Sequence, residues 1–286
     1  MLSFLGFGTW FGTPNGMHHS SQFTIKSIVI VPLLAFALGC EHMGVDTIPP
    51  SAPEGVSTRP GDNYLEVFWN RNPESDIAGY HVFVSPTLDG RFDMIGTVAT
   101  PYFLDSGARN GLGYYYAVTA FDFSGNESVL NRDIVFGVPR PEGYGIILRD
   151  VWLVPESSGF DFSTAQVVPF DDLYADMYFE NFQDVLYMVV RSDDTDIQDA
   201  GYTVSLLDIN IAPESGWSPT HDVQLVEGHT YIVWTWDNHY AKFRVTGLSS
   251  GQVVIDWAYQ LQEANPILKQ NAARDREKAA QRLQRR

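Results

Sequence analysis

The sequence predicts an all-β protein with two antiparallel domains in series and a basic tail. Its 286 residues allow about two domains. The chain combines 7 Trp, 14 Tyr and 18 Phe with 24 Gly and 16 Pro, a composition that favours short strands joined by turns. Short alternating apolar segments recur between turn residues, as they do in sandwiches. A hydrophobic fraction of 44% suffices for packed cores and excludes wholesale disorder.

The charge balance and the cysteine count exclude several classes of protein. With 35 Asp and Glu against 18 Lys and Arg, the formal net charge is -17. Because binding to a phosphate backbone depends on clustered cations, we do not expect nucleic acid as a partner. Cys40 is the one cysteine of the chain, which excludes an internal disulfide and a multi-thiolate metal site.

The amino terminus has the pattern of a secretory signal. Residues 27–39 form an apolar run that follows Lys26 and is too short to span a bilayer. The sequence FALGC at residues 36–40 resembles the lipobox of bacterial lipoproteins. This resemblance implies that residues 1–39 are removed and that acyl chains such as palmitate are attached to Cys40. The alternatives are an uncleaved hydrophobic anchor and a chance cysteine.

The amino-terminal residues also bear on the translation start and on the predicted localisation of the protein. Residues 1–16 carry no charge, whereas a start at Met17 gives a signal of ordinary length, so either Met1 or Met17 is the true start. By resemblance to the sorting rule of enteric bacteria, Glu41 after the cysteine does not retain a lipoprotein in the inner membrane. We therefore expect a cell-envelope protein tethered to the outer membrane of a Gram-negative-type bacterium, without spanning it.

A small β-sandwich is expected after a short tether. Residues 40–49 are expected to form the lipid-anchored linker, which leads into a first domain at residues 50–138. Alternation within the first predicted strand places Leu65, Val67 and Trp69 on one buried face. Strands are predicted at residues 64–69, 79–85, 94–98 and 114–121.

This first domain resembles a fibronectin type III domain. The matching features are PPSAP at residues 49–53, Trp69, Tyr80 in AGYHVFVS, and the run YYYAVTA at residues 114–120. The resemblance implies structural roles for Trp69 and Tyr80, and a tyrosine-corner hydrogen bond made by Tyr114. Without an Arg-Gly-Asp sequence, integrin-type adhesion has no support, so we interpret the domain as a spacer or docking module.

A second β domain is predicted at residues 144–262. Its clearest part is an antiparallel meander with strands at residues 230–236, 239–245 and 252–260, joined by turns at 237–238 and 247–251. Two alternating patterns specify the faces of these strands. The first places Ala241, Phe243 and Val245 toward a core and Lys242 and Arg244 toward water, and the second places Val253, Ile255, Trp257 and Tyr259 on one face.

The meander resembles the end of HmuY-type haem-binding lipoproteins. The matching segments are HTYIV at residues 229–233, DNHYAKF at 237–243 and DWAYQ at 256–260, with a weaker match in ADMYFE at 175–180. In the haem-binding members two histidines hold the iron.

The nearby histidines of this chain are His221, His229 and His239. A strand separates His229 from His239 by about 20 Å at ~3.3 Å per residue, so they are not expected to share an iron. His221 with His229 is the candidate haem pair, on the condition that residues 223–228 fold back. Trp234 and Trp236 complete the candidate ligand site, with ordinary surface histidines as the alternative.

An acidic run offers a candidate calcium site. Residues 192–199 contain Asp193, Asp194, Asp196 and Asp199, and calcium prefers several carboxylate oxygens among its ligands. The run lacks the glycine and the glutamate of an EF-hand loop. A solvated acidic loop is the alternative interpretation.

Catalytic motifs do not support an enzyme. The chain has no Gly-x-Ser-x-Gly, no His-Glu-x-x-His and no phosphate-binding glycine loop. We therefore expect a non-catalytic binding module that displays its β domains to a protein partner or a small ligand such as haem. The alternatives are a structural or assembly protein of the envelope without a small ligand, and a surface carbohydrate-binding accessory.

The carboxy-terminal tail reverses the charge of the chain. Residues 265–286 carry seven Lys or Arg against Asp275 and Glu277, a net of +5. Their composition favours a helix with a thin apolar stripe. Such a tail is expected either to be a solvated, frayed helix or to contact anionic lipid headgroups or an acidic partner.

Overall fold

The computed structural model describes residues 46–269, and this part of the chain is nearly all β. Its strands form four antiparallel sheets, and the helical structure is limited to two single 3-10 turns, Pro155–Ser157 and Leu206–Asp208. Within this range no helix has the length and apolar character needed to cross a membrane. Cys40, the predicted signal peptide, most of the linker and residues 270–286 lie outside the described residues.

Seven strands form the first domain. They pair as a three-stranded sheet, β1-β2-β5, and a four-stranded sheet, β4-β3-β6-β7. This order, with three strands facing four, is the fibronectin type III arrangement. The strands are β1 (Ser57–Gly61), β2 (Tyr64–Phe68), β3 (Ile77–Ser85), β4 (Asp93–Val98), β5 (Tyr102–Asp105), β6 (Tyr114–Asp122) and β7 (Val135–Gly137).

The core of this sandwich contains the residues that the alternating sequence pattern predicts to be buried. Leu65, Val67 and Trp69 are all buried in it. Trp69 meets the edge of the Tyr80 ring at a centroid distance of 5.2 Å, and the Tyr80 hydroxyl accepts a hydrogen bond from the backbone N–H of Asn72 at 3.1 Å. These two aromatic residues therefore join the two sheets, because one follows β2 and the other lies in β3.

Tyr114 occupies the corner that leads into β6. Its hydroxyl accepts a hydrogen bond from the backbone N–H of Arg109, five residues upstream, at 3.0 Å. This is the geometry of a tyrosine corner. The bond fixes the chain where it crosses from the three-stranded to the four-stranded sheet.

Ten strands form the second domain. They pair as two five-stranded sheets, β10-β9-β11-β12-β14 and β13-β15-β16-β17-β8. The strands are β8 (Glu142–Arg149), β9 (Gly159–Asp161), β10 (Gln166–Val168), β11 (Met177–Phe182), β12 (Val185–Val190), β13 (Asp196–Tyr202), β14 (Asp222–Gln224), β15 (His229–Trp234), β16 (Tyr240–Ser249) and β17 (Gln252–Gln260).

Both sheets contribute to one core. Phe160 of β9 meets Trp257 of β17 at 5.2 Å, and Tyr231 of β15 stacks on Phe243 of β16 at 5.0 Å. The predicted meander is confirmed as β15-β16-β17. The inward faces are those predicted, and the core includes Ala241, Phe243, Val245, Val253, Ile255, Trp257 and Tyr259.

The turn predicted at residues 247–251 is shorter than expected. Strand β16 continues to Ser249 because a bulge between Val245 and Gly247 shifts the register by one residue, and Gly247 then pairs with Val254. A bulge lets a strand continue past a local mismatch, so the glycine predicted to begin a turn lies inside the strand.

One of these sheets is covered on its outer side, and we call β13-β15-β16-β17-β8 the covered sheet and β10-β9-β11-β12-β14 the open sheet. The cover consists of residues 205–219 and 261–269, which form a small second core with Ile232 and Tyr240. Lys242, predicted to face water, is therefore fully buried. Alternation put Lys242 opposite the main core correctly, but it cannot show that another chain segment seals the outer face.

The first residues of the predicted helical tail belong to this cover. Ile267 forms a β-bridge with Ile211, and the backbone N–H of Leu268 donates to the carbonyl of Asn210 at 2.7 Å. Leu268 is buried. Residues 265–269 are therefore an extended strap rather than the start of a helix, because the outer face of the covered sheet offers apolar contacts that an isolated helix lacks.

Candidate functional site

The two candidate haem ligands lie at opposite ends of one strand. His229 pairs with Tyr202 at the start of β15, and its Nδ1 lies 3.0 Å from Asp199. The Nδ1 of His221 lies 3.1 Å from the carbonyl of Thr195, beside the far end of β15. Five extended residues separate these ends by about 16 Å. The structure therefore does not bring His221 and His229 to one iron, and the haem pair expected from the sequence is not formed.

The two candidate tryptophans face different surroundings. Trp234 is half-buried in the cover, where it stacks on Tyr240 at 5.3 Å and donates from Nε1 to Asn238 at 3.0 Å. Trp236, two residues later in the turn after β15, is 48% exposed. Only Trp236 is therefore placed to contact a ligand from solvent.

The acidic run at residues 192–199 does not converge. Asp196 lies in β13 opposite Trp234, Asp199 contacts His229, and Asp194 lies at the edge of a depression described below. No three carboxylates of this run come within 4.8 Å of one another in the described chain. Because strand residues alternate in direction, neighbouring acids of β13 are directed apart rather than toward a common ion.

Carboxylates do converge at one place among residues 46–269, in the first domain. Oxygens of Asp46, Asp76 and Asp122 lie within 4.8 Å of one another. Asp122 already accepts hydrogen bonds from the backbone N–H groups of Ser124 and Asn126, at 2.8 and 2.9 Å. The cluster supplies fewer groups than the six to eight oxygens that calcium prefers, and its contacts are those of an acidic turn.

An exposed aromatic pair marks the strongest candidate site. Tyr174 and Trp236 are 56% and 48% exposed, and their ring centroids lie 6.4 Å apart with the planes inclined by 41°. They line a depression of about 310 Å³ together with Leu173. We call this surface the aromatic depression, and its remaining lining residues are Ala175, Arg191, Ser192 and Asp194.

Two turns hold the aromatic residues in place. The backbone N–H of Tyr174 donates to the Asp172 carboxylate at 2.9 Å, which is an Asx turn. On the other side, Asn238 adopts a left-handed conformation with φ of 65°, and its backbone N–H donates to the carbonyl of Thr235 at 2.9 Å. Asparagine tolerates that conformation, so the tight turn directs Trp236 outward.

A buried carboxyl group lies directly next to the depression. Asp176 follows Ala175, is 3% exposed, and accepts a hydrogen bond from the backbone N–H of Phe162 at 2.9 Å. Burial raises its pKa to about 7, and the nearby charges of Asp161 and Asp237 add to the increase. The residue that follows the lining residue Ala175 therefore carries a buried carboxyl group that titrates near neutral pH.

The lining of the depression combines exposed aromatic rings with polar groups at its edge. Exposed aromatic faces attract the C–H faces of sugars, while a guanidinium, a hydroxyl and a carboxylate at the edge suit hydroxyl groups. Sequence reasoning selected Trp236 and Asp194 but missed Tyr174. The available signal was the acidic pair that precedes it, Asp171 and Asp172, which marks a turn that presents the next residues to solvent.

Comparisons with known proteins add two relatives. No family model matches the sequence. The chain is 29% identical over 118 residues to an amylopullulanase of Thermoanaerobacterium thermosulfurigenes and 26% identical over 161 residues to one of Thermoanaerobacterium saccharolyticum. These alignments cover 41% and 56% of this chain but only 6% and 12% of the relatives.

Solved structures similar to part of the chain include several with a fibronectin-like fold. A fibronectin type III-like protein from Clostridium thermocellum is 27% identical, with 29% of this chain and 86% of that chain covered, at a TM-score of 0.26. The spore cortex lytic enzyme SleM of Clostridium perfringens is 29% identical, with 30% and 28% covered, at 0.26. A β-1,2-glucanase from Parabacteroides distasonis is 23% identical, with 34% and 14% covered, at 0.29.

The strand order, the tyrosine corner and the two-sheet core together define the class of protein. Over residues 46–269 it is an all-β protein with a fibronectin type III fold followed by a second β-sandwich. The HmuY resemblance of residues 144–262 stays a prediction about that second sandwich.

Proposed function

We propose that this protein is a non-catalytic accessory protein of the cell envelope that binds α-glucan chains through the aromatic depression. The observation that carries the proposal is the exposed Tyr174 and Trp236 pair, edged by Arg191, Ser192 and Asp194. Of the functions considered from the sequence, this is the carbohydrate-binding accessory, and it takes the place of haem binding.

The inclination of the two rings favours a curved chain. An α-(1→4)-linked glucan turns from one sugar to the next, so consecutive sugars present their faces at an angle. A β-(1→4)-linked chain is a flat ribbon that suits coplanar rings. The planes of Tyr174 and Trp236 are inclined by 41°, which supports the α-linked class.

Similarity to the two amylopullulanases supports the same ligand class. The name of those enzymes refers to pullulan and related α-glucans. The chain spans 12% of the longer-matched relative, a share that fits a shared accessory region better than a whole shared enzyme.

The predicted lipid anchor gives this binding function a location. Acylation of Cys40 would tether the two sandwiches to the membrane, and the fibronectin-like domain would hold the glucan-binding domain away from it. The net charge of -17 favours a neutral polysaccharide over an anionic one as the partner.

Affinity electrophoresis tests the proposal directly. The wild-type chain is expected to be retarded in gels that contain amylopectin or pullulan and not in gels that contain β-linked hydroxyethyl cellulose. Trp236→Ala and Tyr174→Ala should each weaken binding by about tenfold, since each removes a stacking surface.

A matched control distinguishes stacking at the depression from nonspecific binding by exposed aromatic residues. Phe123→Ala removes an aromatic side chain that is 79% exposed on the first domain, and it should leave the retardation unchanged. Equal mobility of the wild-type chain with and without α-glucan would overturn the proposal.

A further inference from the structure

The outer face of the open sheet carries a second set of aromatic and polar side chains. Tyr178 and Glu180 of β11 lie opposite Val189 and Tyr187 of β12. The residues between them, such as Phe179, belong to the core. Because strand residues alternate, these four side chains are directed away from the core and are partly exposed.

Trp152 is fixed on this outer face by a hydrogen bond. Its Nε1 donates to the Glu180 carboxylate at 3.1 Å, yet the residue is 70% exposed. The bond holds one edge of the indole against the sheet and leaves the rest of the ring in solvent. A ring oriented in this way presents an apolar surface at low entropic cost.

The outer face of the other sheet is largely covered by other parts of the chain. The covered sheet is sealed by residues 205–219 and 261–269, and Arg59 and Tyr64 of the first domain line a cleft with Tyr144 and Arg244 of the second. The open sheet therefore keeps a partly exposed outer face while its counterpart is covered.

The open face continues into the aromatic depression. Arg191 follows β12 directly and lines the depression, and Val190, the residue before it, pairs with Met177, the residue before Tyr178. Tyr187, which lies opposite Glu180, is four residues before Arg191, or about 13 Å along an extended strand. The Trp152 side of the face is thus farther from the depression than one sugar ring reaches.

We propose that the open face and the aromatic depression form one binding track for an oligosaccharide of several units, with Trp152 stacking on a sugar distant from Trp236. Glu180 and Tyr187 would contact hydroxyl groups between them. This inference rests on the proposed glucan-binding function. The track carries both Glu180 and Arg191, so its charges of opposite sign suit a neutral, hydroxyl-rich chain.

Calorimetric titration of the full chain with maltotriose and maltoheptaose tests the track. The wild-type chain should bind maltoheptaose about tenfold more tightly than maltotriose, because only the longer sugar reaches Trp152. Trp152→Ala should bring the affinity for maltoheptaose down to that for maltotriose. Trp236→Ala should weaken binding of both sugars.

Two further variants keep the test interpretable. Trp152→Phe retains a stacking ring without the indole N–H and should keep part of the preference for the longer sugar. Glu180→Ala keeps the indole but removes the hydrogen bond that orients it. This variant should lose part of the preference for the longer sugar. Phe123→Ala serves as the exposed-aromatic control and should match wild type.

The possible failures are distinguishable. Equal affinity of wild type for the two sugars, or a Trp152→Ala chain that keeps the full preference, would overturn the track while leaving the depression as the binding site. No binding of either sugar by the wild-type chain would overturn both the track and the proposed function.

Discussion

At the scale of single residues, burial decides the charge of Asp176. This carboxyl group lies beside the aromatic depression with 3% of its surface exposed, and burial raises its pKa to about 7. An unfolded aspartate has a pKa of about 3.8. Between these two values the folded chain holds a proton that the unfolded chain has lost, so folding stability falls as the pH rises from about 4 to about 7.

Replacing Asp176 by asparagine should therefore stabilise the protein at alkaline pH. The asparagine side chain carries no charge at any of these pH values, and its amide oxygen can still accept the hydrogen bond from Phe162. We expect Asp176→Asn to raise the free energy of unfolding by roughly 3 kcal/mol at pH 8, and by little at pH 4. Urea denaturation at pH 4, 6 and 8 measures the difference.

An exposed aspartate of the same loop provides the control. Asp171→Asn removes one charge from the surface and should change the free energy of unfolding equally at the three pH values. A gain for Asp176→Asn that does not grow with pH would show that the carboxyl group is charged in the folded protein at acidic pH.

Residue-scale predictions from sequence succeeded where a single chemical property decides the outcome. Trp69 and Tyr80 pack in the first core, because large aromatic side chains on an alternating strand are buried wherever two sheets meet. The pairing of His221 with His229 depends instead on their distance in space, which a local sequence pattern does not specify. Five strand residues hold these two histidines apart.

At the scale of elements, the cover over β16 determines the environment of Lys242. Its Nζ donates to the carbonyl of Ile209 at 2.6 Å, and the side chain is fully buried. Burial lowers the pKa of this lysine well below its ordinary value, and the nearby Arg140 lowers it further. A lysine whose folded pKa is lowered costs stability at neutral pH, and this cost disappears as the pH rises toward the unfolded pKa of 10.5.

Lys242→Met should stabilise the protein at neutral pH. Methionine fills a similar volume without a charge, although it leaves the Ile209 carbonyl unpaired, so we expect a net gain of about 1–2 kcal/mol at pH 7. The gain should shrink toward pH 10, because the unfolded lysine begins to lose its proton as the pH approaches its pKa of 10.5. Chemical denaturation across pH 7 to 10 measures this.

Arg149→Met is the matched control, because Arg149 is an exposed cation on β8 of the same sheet. Its effect should be small and independent of pH over this range. Destabilisation of Lys242→Met by several kcal/mol at pH 7 would mean that the charged amine contributes to the stability of the cover.

Elements that pack through one face of a sheet were predictable from the sequence. Elements that cover its other face were not. The meander of β15, β16 and β17 was predictable because alternation and turn residues are local signals. The strap at residues 265–269 was not, because its basic, helix-favouring composition says nothing about the apolar face that it covers.

At the scale of the whole molecule, a short connection joins the two sandwiches. Residues 139–141 are hydrogen bonded on both sides, since Pro139 accepts from Gly111 of the first domain and Pro141 accepts from Tyr259 of the second. Arg140 between them is buried, donates to the Leu268 carbonyl and pairs with Glu142 at 3.3 Å. The connection between the two domains is therefore hydrogen bonded to both of them.

Acylation of Cys40 should determine whether the whole chain associates with membranes. Expressed in its own cell envelope, the wild-type protein should incorporate labelled palmitate and sediment with membranes. Cys40→Ser should lose the label and move to the soluble envelope fraction, since no thiol remains to be acylated. Ser51→Ala, a change beyond the lipobox, should behave as wild type. Membrane association that survives Cys40→Ser would favour an uncleaved hydrophobic anchor.

The sequence by itself determined the all-β class, the fibronectin-like domain and the inward faces of the terminal meander, because these depend on periodicity and turn chemistry within short windows. Tertiary structure alone decided which surfaces stay open. Tyr174 and Trp236 meet from segments about sixty residues apart, while the strap seals Lys242 on the other side. Such contacts depend on the packing of distant segments, which local patterns do not encode.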